Sequence, residues 1–278
     1  MNIKVILLFI IINIFLFSQY TAINNNYILV NIDDKEIDYA TYTIHADATA
    51  NYITDSYLHP GILLILQQQA EEETMKALYD ILNYIPVYDE NTIYSILEEN
   101  RTLKEKVISF IYNARLVGIS YPTRKSLKVS MALDIITNQL LYDLINNMNV
   151  YKTEPIVTYF DAGTDYDSLV IDARNIGFNP SLFPIVYDED GNEIYDLAYI
   201  NRDVLSTNAY VVYSKDPFLT NQNIIKIVGE NPYKVVAWRP RGRFSSDLVI
   251  GNEDASIIMS SKKLRNAIKN CKVVFIIN

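Results

Sequence analysis

Residues 168–180 read SLVIDARNIGFNP and carry the clearest indication of how the chain folds. The first six residues contain the apolar run Leu169–Ile171, with two β-branched side chains, and they predict a buried strand. The residues that follow include Asn, Gly and Pro, which are typical of turns and loops. Asp172 and Arg174 stand two positions apart, so on a strand they would share one face. A polar pair at the end of a buried strand occupies a position where ligand sites often lie.

The pattern of short strands continues on both sides of this run. We predict a strand-rich α+β lobe over residues 151–278, with a helix from Glu253 to about Ile268 and a strand at the end of the chain. The acidic turn at residues 188–192, DEDGN, predicts a hairpin between its flanking strands. The predicted strands are Ile156–Phe160, Ser168–Ala173, Ile185–Tyr187, Glu193–Tyr195, Ala209–Tyr213, Tyr233–Trp238, Asp247–Ile250 and Cys271–Ile277.

Longer segments with helical spacing of apolar residues occupy residues 23–150. This predicts a helix-rich α+β lobe, and the two lobes form either one domain or two. The predicted fold is therefore α+β, with a helix-rich N-terminal half and a strand-rich C-terminal half after a signal peptide. The predicted helices are 62–82, 93–111 and 132–148, and the predicted strands are Tyr27–Ile32, Tyr39–His45 and two strands within Val117–Val129.

The first 22 residues have the three-part pattern of a secretory signal peptide. Lys4 precedes a run of thirteen residues, Val5–Phe17, that is apolar except for one asparagine, and Ala22 is a small residue at the predicted cleavage site. The apolar run is shorter than the roughly 20 residues of a membrane-spanning helix. An uncleaved anchor is the alternative, because Tyr20 stands where a small residue is preferred. Both interpretations predict an exported protein of the periplasm or cell envelope.

Charge and composition exclude some functions. The net charge is −9, and it would be −10 without residues 1–22, which contain one lysine and no acid. Because phosphate backbones require a basic surface, nucleic acid is not a predicted partner. The chain has two histidines and one cysteine, Cys271, and shows no nucleophile–base pattern or metal-ligand cluster. We therefore predict a protein that is not an enzyme and needs no cofactor or metal.

Residues 238–243 read WRPRGR and place three arginines beside the only tryptophan. This group could bind an anionic glycan, a lipid head group or the acidic surface of a partner. The alternative is a basic turn whose charges are balanced by nearby acids. For the pair at positions 172 and 174, the alternative is that Asp172 stabilises the loop and Arg174 pairs with a local carboxylate. The candidate binding residues are Asp172, Arg174, Asn175, Trp238, Arg239, Arg241 and Arg243.

Three stretches of the C-terminal half resemble one family of exported bacterial proteins. Residues 169–180 and 184–195 are similar to its pattern IDARG…P…P.I.DEDG.E.Y, and residues 247–255 are similar to its later pattern D.VIS..DA. Members are described as lipoproteins of the twenty-kilodalton surface-antigen type. They are similar to parts of flagellar assembly protein T, which belongs to a periplasmic ring around the flagellar motor. The resemblance covers roughly residues 155–278.

The resemblance implies an envelope location and a role in assembly, and it implies no catalytic residues. The sequence departs from the family at Asn175, where the pattern has Gly, and in lacking the lipoprotein cysteine. We predict a non-catalytic envelope protein that acts as a scaffold through contacts with envelope proteins, with flagellar basal-body components among the expected partners. The alternative is a periplasmic module that binds a small ligand or a cell-wall glycan. An apolar pocket would favour that module, whereas a flat surface would favour protein assembly.

Overall fold

The computed structural model describes residues 29–32, 35–51, 60–88, 91–136, 140–147 and 163–278. Helices and strands alternate throughout this part of the chain. The helices are α1 (Pro60–Tyr84), α2 (Ile93–Glu99), α3 (Arg101–Ile111), α4 (Leu140–Asn147), α5 (Gln222–Val228), α6 (Asn252–Ser260) and α7 (Lys262–Lys269), and two short 3-10 helices lie at Leu197–Tyr199 and Arg202–Ser206.

The strands form three main sheets and one short pair. They are β1 (Leu29–Ile32), β2 (Lys35–Asp38), β3 (Thr43–Asn51), β4 (Pro86–Tyr88), β5 (Asn91–Thr92), β6 (Arg115–Thr123), β7 (Ser126–Asp134), β8 (Ser168–Asp172), β9 (Val186–Tyr187), β10 (Glu193–Tyr195), β11 (Val212–Ser214), β12 (Pro232–Val236), β13 (Arg239–Arg241), β14 (Asp247–Val249) and β15 (Val273–Ile276).

The first sheet is antiparallel, in the order β1-β2-β3-β7-β6, and α1 covers one face of it by packing on β3 and β7. β3 contributes Ile44 to the buried core, and the partly buried Ala46 and Ala50 pack against it farther along the strand. The small side chains of these alanines let the helix approach the sheet closely. Thr74, buried on α1, donates its hydroxyl to the carbonyl of Ala70 at 2.6 Å, and Val129 O on β7 lies 3.3 Å from the same hydroxyl.

The second sheet is parallel, in the order β11-β15-β8-β12. Its central strands are covered on both faces, because α5 packs on β8 and β15 while α7 also contacts β8. All four residues of β15 and the first four of β8 are buried, as expected for a parallel sheet between helices. A third, mixed sheet follows the order β10-β9-β14-β13.

One hydrophobic core connects the first sheet with the two later ones. The turn between β2 and β3 carries Tyr39 and Tyr42, and both rings lie against Tyr213 of β11, with centroids at 5.6 and 6.2 Å. Tyr42 also donates its hydroxyl to the carbonyl of Val211 at 2.7 Å. Burial raises the pKa of Tyr42 and of Tyr213, so both stay protonated and act as uncharged core residues.

The predicted division into a helix-rich first half and a strand-rich second half is wrong. The first half contains a five-stranded sheet, and α5, α6 and α7 alternate with strands in the second. The sequence pattern was misleading because β6 is mostly exposed and the apolar residues of β3 after Ile44 are partly buried alanines, so neither strand shows the strong alternation of a half-buried sheet. Helical and strand content are nevertheless mixed, as expected of an α+β protein.

Several boundaries also differ from those predicted. The helix predicted from residue 132 begins at Leu140, because β7 continues to Asp134 as the partner of β3. The predicted strand Tyr39–His45 is a turn over its first four residues, stabilised by the Asp38 carboxylate, which accepts the Ala40 N–H at 2.9 Å. The last predicted helix is divided in two at Ser261, whose hydroxyl accepts the Leu264 N–H at 3.2 Å and begins a new helix.

Two of the sequence predictions fall outside the described residues. These are the signal segment at residues 1–22 and the strand predicted over Ile156–Phe160. Within the described ranges, none of the helices combines the length and the apolar character that crossing a membrane would require.

Candidate functional site

The four strands of the parallel sheet end side by side along one edge, which we call the carboxyl edge. Its strand ends are Asp172, Ser214, Val236 and Ile276. Ala237 donates its backbone N–H to the carbonyl of Asp172 at 2.9 Å, which brings the residues just before Trp238 next to the end of β8. The fold therefore brings together two candidate groups that are far apart in sequence, at an edge where open α/β sheets commonly bind ligands.

Asp172 and Arg174 form a two-pronged ion pair at this edge. The Nε and Nη2 atoms of Arg174 donate to Oδ1 and Oδ2 of Asp172 at 2.9 and 2.6 Å, and the backbone N–H of Arg174 also donates to Oδ1 at 3.1 Å. These hydrogen bonds lower the pKa of Asp172 below its usual value. The pair orders the loop after β8, and the carboxylate stays ionised with both oxygens bonded.

Asn175 begins the loop in a left-handed conformation, with φ of 63°. Its backbone N–H donates to Oδ1 of Asn278 at 3.2 Å, which links the loop to the end of the chain beside β15. Asparagine tolerates positive φ better than other residues with a Cβ atom. Asn at this position is thus compatible with the conformation that a Gly in the family pattern would adopt.

Trp238 follows β12 and lies on the surface with 60% of its area exposed. The ring packs over Gly251, because a Cβ atom on that residue would lie 3.2 Å from Cζ2 of the tryptophan. The Trp238 backbone N–H donates to the carbonyl of Val249 at 2.8 Å. Most of this large aromatic side chain thus faces solvent, while its ring contacts Gly251 and its backbone is bonded to β14.

The three arginines after Trp238 are exposed. Arg239 and Arg241 alternate with Pro240 on β13, so both project from one face of the strand. The Arg241 guanidinium lies over the Tyr187 ring, 4.0 Å from its centroid, and that of Arg243 lies 5.7 Å from the centroid of Phe244. We call Trp238, Arg239, Arg241 and Arg243 the Trp–Arg surface.

The alternative interpretation of this motif requires nearby acids that balance the three arginines, and the described residues provide no such ion pairs. Among the described residues, no carboxylate lies within ion-pair distance of Arg239, Arg241 or Arg243. Glu193 is close enough to respond to Arg241, which opposes the rise in the Glu193 pKa that burial and Asp196 cause. As far as the described residues go, the Trp–Arg surface therefore offers a ligand or partner three guanidinium groups that have no carboxylate in ion-pair contact.

Sequence reasoning missed the residues that support the Trp–Arg surface. Tyr187 lies on β9 and Gly251 precedes α6, and both reach the surface only because β14 pairs with β9 and with β13. No pattern along the chain could connect them with residues 238–243, since the sheet that unites them is formed by non-local pairing. Gly191 also contributes space, because a Cβ atom there would lie 3.6 Å from Nη1 of Arg241.

The acidic turn is a hairpin, as predicted, and its carboxylates serve the fold. Asp188 accepts the backbone N–H and the side-chain amide of Asn192, both at 2.7 Å. Glu189 and Asn252 exchange two hydrogen bonds, of 2.9 and 3.0 Å, which fix the turn to the start of α6. In the described part of the chain, no group of three or more His, Cys, Asp or Glu residues is arranged to hold a metal ion.

An open groove of about 420 Å³ lies between α3 and α4. Lys106 and Asp143 form an ion pair across it at 3.0 Å. The groove is lined by Thr102, Leu103, Glu105, Lys106, Ser109, Phe110, Asn113, Leu140 and Asp143. Its lining is mixed and open to solvent, unlike the apolar, enclosed pockets that bind small ligands.

We expect the thiol of Cys271 to be inert in the folded protein. The residue is buried, and burial raises its pKa to about 12, so only about one part in 10⁴ would be thiolate near pH 8. Labelling with a chromogenic disulfide reagent at pH 8 should therefore proceed only after addition of denaturant. Complete labelling of the native protein within minutes would contradict this prediction.

The comparisons with known proteins concern the part of the chain that contains both candidate groups. Residues 168–278 match the model of a bacterial domain family described as Treponema pallidum Tp0624, second domain. Compared with curated proteins, the chain matches none. The bacterial character of the resemblance is thus confirmed, whereas likeness to the surface-antigen lipoproteins and to flagellar assembly protein T stays a prediction.

Proposed function

We propose that this protein is a non-catalytic component of a bacterial envelope that acts as a scaffold by binding other envelope proteins. The N-terminal pattern of residues 1–22 supports export, and the match of residues 168–278 to a bacterial domain supports the type of organism. The resemblance to proteins of the flagellar periplasmic ring makes basal-body components the first partners to test. In this proposal the Trp–Arg surface is the contact for the partner.

The observation that carries the proposal is an exposed tryptophan fixed beside three arginines that have no carboxylate partner within the described part of the chain. Trp and Arg are enriched among the residues that dominate the binding energy of protein interfaces. Trp238 is fixed by Gly251 and Arg241 by Tyr187, so a partner would immobilise few side chains when it binds. The surface is part of a sheet and not of an enclosed pocket, which favours a protein partner over a small ligand.

The ion pair between Asp172 and Arg174 supports a function without catalysis. Both oxygens of Asp172 accept hydrogen bonds from Arg174, and the pKa of this carboxyl lies below its usual value. A general acid or base works best with a pKa near the operating pH and with a free position for the transferred proton. Asp172 has neither property, so we assign it to the structure of the loop that flanks the partner contact.

Replacing Trp238 with alanine should weaken partner capture by about 30-fold, because the loss of a central aromatic anchor commonly costs about 2 kcal/mol or more of binding energy. The measurement is affinity capture from crosslinked envelopes of the bacterium that makes the protein, with the recovered proteins identified and quantified by mass spectrometry. Tyr112→Ala is the matched control, because this tyrosine is 73% exposed on a different surface, at the end of α3.

The outcomes separate protein assembly from ligand binding. Recovery of the same envelope proteins by the wild type and by Tyr112→Ala, but not by Trp238→Ala, would support the proposal. Equal recovery by all three would exclude the Trp–Arg surface as the contact. Recovery of glycan fragments without proteins would overturn the scaffold role and favour a glycan-binding module. Circular dichroism of each variant checks that the loss does not reflect unfolding.

A further inference from the structure

We propose that the Trp–Arg surface recognises an extended segment of the partner protein in which acidic side chains alternate with neutral ones. This inference rests on the proposed function and names the chemistry of the partner. It follows from the absence of carboxylate partners for the arginines among the residues that the structure describes, the spacing of Arg239 and Arg241 on β13, and the charge of the whole chain.

The three arginines of the Trp–Arg surface differ from other basic residues of the chain in their ion pairing. Several lysines and arginines already have a carboxylate within 4 Å: Lys76, Arg101, Lys106, Lys128, Arg174 and Lys263. Arg239, Arg241 and Arg243 have no such partner among the described residues, although the chain carries a net charge of −9. In so acidic a protein, three arginines that follow one another closely in sequence, without a carboxylate partner in the described ranges, mark a place where carboxylates from another molecule would be stabilised.

The spacing of two arginines on β13 matches that of side chains in an extended peptide. Arg239 and Arg241 project from the same face of β13 and are two residues apart, which on a strand corresponds to roughly 7 Å. An extended peptide places alternate side chains at the same interval, so acids at every second position would meet both guanidinium groups. The backbone contributes less, because Pro240 in the middle of β13 has no N–H to donate to an added strand.

Two aromatic residues, Tyr187 and Trp238, support binding beside these arginines. Tyr187 holds the Arg241 guanidinium over its ring, so this group needs little ordering before it forms a forked pair with a carboxylate. Trp238 immediately precedes Arg239 and exposes 60% of its area, which gives an apolar surface for the neutral side chains or the backbone of the segment.

A short acidic peptide fits the Trp–Arg surface better than an anionic membrane does. A polybasic segment gains about 1 kcal/mol for each basic residue near an anionic membrane, so three arginines give only weak attachment. The net charge of −9 would oppose the approach of the rest of the chain to an extended anionic surface. A short acidic segment contacts the arginines alone and avoids this repulsion.

The chain provides its own probe for the test, since Trp238 is the only tryptophan and lies within the site. The full-length protein would be titrated with the peptide Glu-Thr-Glu-Thr-Glu-Thr while tryptophan emission is recorded. We expect a saturable change that disappears as salt is raised to about 1 M, where the Debye length falls to about 3 Å. The neutral peptide Gln-Thr-Gln-Thr-Gln-Thr should produce no saturable change.

Charge reversal identifies the residues responsible. Arg239→Glu and Arg241→Glu should each weaken binding of the glutamate peptide by about tenfold or more, since each removes a charge-assisted contact. Arg101→Glu is the matched control, because it makes the same charge change at an exposed arginine on α3 and should leave the affinity unchanged. Arg239→Gln and Arg241→Gln repeat the test with smaller changes, and thermal melting checks that each variant is folded.

Several results of these titrations would contradict the proposed ligand. No response to the glutamate peptide, an equal response to the glutamine peptide, or charge reversal without effect would overturn the acidic segment as ligand. So would binding of vesicles rich in anionic lipid, or of a sulfated glycan, in the absence of peptide binding. If Trp238→Ala still abolishes capture of envelope proteins while the peptide fails, the proposed function stands and only the chemistry of the partner segment is wrong.

Discussion

Replacing Tyr213 with alanine should lower the free energy of unfolding by about 3–5 kcal/mol, the range typical of a large aromatic side chain removed from a core. The side chain is 1% exposed. Its hydroxyl accepts the backbone N–H of Ser181 at 3.1 Å and donates to the carbonyl of the same residue at 2.9 Å. Its ring contacts aromatic rings at centroid distances of 5.6 to 6.2 Å, namely those of Tyr39, Tyr42, Phe178 and Phe275.

The position of Tyr213 makes this variant a test of how the chain is organised. Tyr39 and Tyr42 belong to the turn between β2 and β3 of the first sheet, while Tyr213 belongs to β11 of the parallel sheet. A cavity between them removes contacts from both sheets. If the halves fold as one unit, unfolding by guanidinium should show a single transition that shifts as a whole.

Two controls separate packing from hydrogen bonding. Tyr213→Phe keeps the ring but leaves the buried backbone groups of Ser181 without their partner, which should cost about 1–3 kcal/mol. Tyr112→Ala removes a tyrosine that is 73% exposed and should change stability by less than about 0.5 kcal/mol. A loss below about 1 kcal/mol for Tyr213→Ala would mean that the aromatic cluster contributes little to the stability of the fold.

The central strands of the parallel sheet, β8 and β15, could be predicted from sequence because they are buried on both faces. β8 and β15 are almost continuous apolar runs, bounded by turn-forming or polar residues, and this pattern needs no knowledge of the partner strands. The antiparallel sheet of the first half lacked such a pattern. β3 reads TIHADATAN, and its apolar alternation depends on alanines that are informative only once α1 is packed against them.

The short helix α5 was missed for a related reason. Its seven residues, QNIIKIV, are too few to show a helical repeat, and its apolar residues resemble those of a strand. It is helical because Ile224 and Ile227 pack on the core beneath it and because the side chain of Asn221 accepts the Asn223 N–H at 2.9 Å. Packing against the sheet decided the structure where local propensity could not.

For the candidate site, the sequence identified the charged and aromatic residues but not the groups that hold them. Residues 238–243 were noticeable because three arginines adjoin the only tryptophan. Whether these arginines were free could not be known from sequence, since an acid from any part of the chain could have paired with them. Arg174 illustrates the other outcome, because its Nε and Nη2 atoms both donate to the carboxylate of Asp172, two residues before it.

Replacing Gly229 with alanine should destabilise the protein by about 3 kcal/mol or more and disturb the Trp–Arg surface as well. Gly229 ends α5 with φ of 74° and ψ of −164°, a conformation that is essentially restricted to glycine. A Cβ atom there would lie 2.7 Å from Cβ of Asp167, a distance that real side chains do not reach. Relief of this contact requires movement of the chain between α5 and β12, the strand that leads to Trp238.

Gly177→Ala separates backbone strain from the steric contact. Gly177 also has positive φ, 76°, but a Cβ atom there would meet no atom within 4 Å. The substitution should therefore lower the free energy of unfolding only by the backbone strain, about 1–2 kcal/mol. Chemical denaturation gives both stability changes, and Trp238 emission reports whether its surroundings move. Equal losses for the two variants would mean that the contact with Asp167 relaxes freely. A larger loss for Gly229→Ala with altered emission would mean that the turn after α5 sets the position of the binding surface.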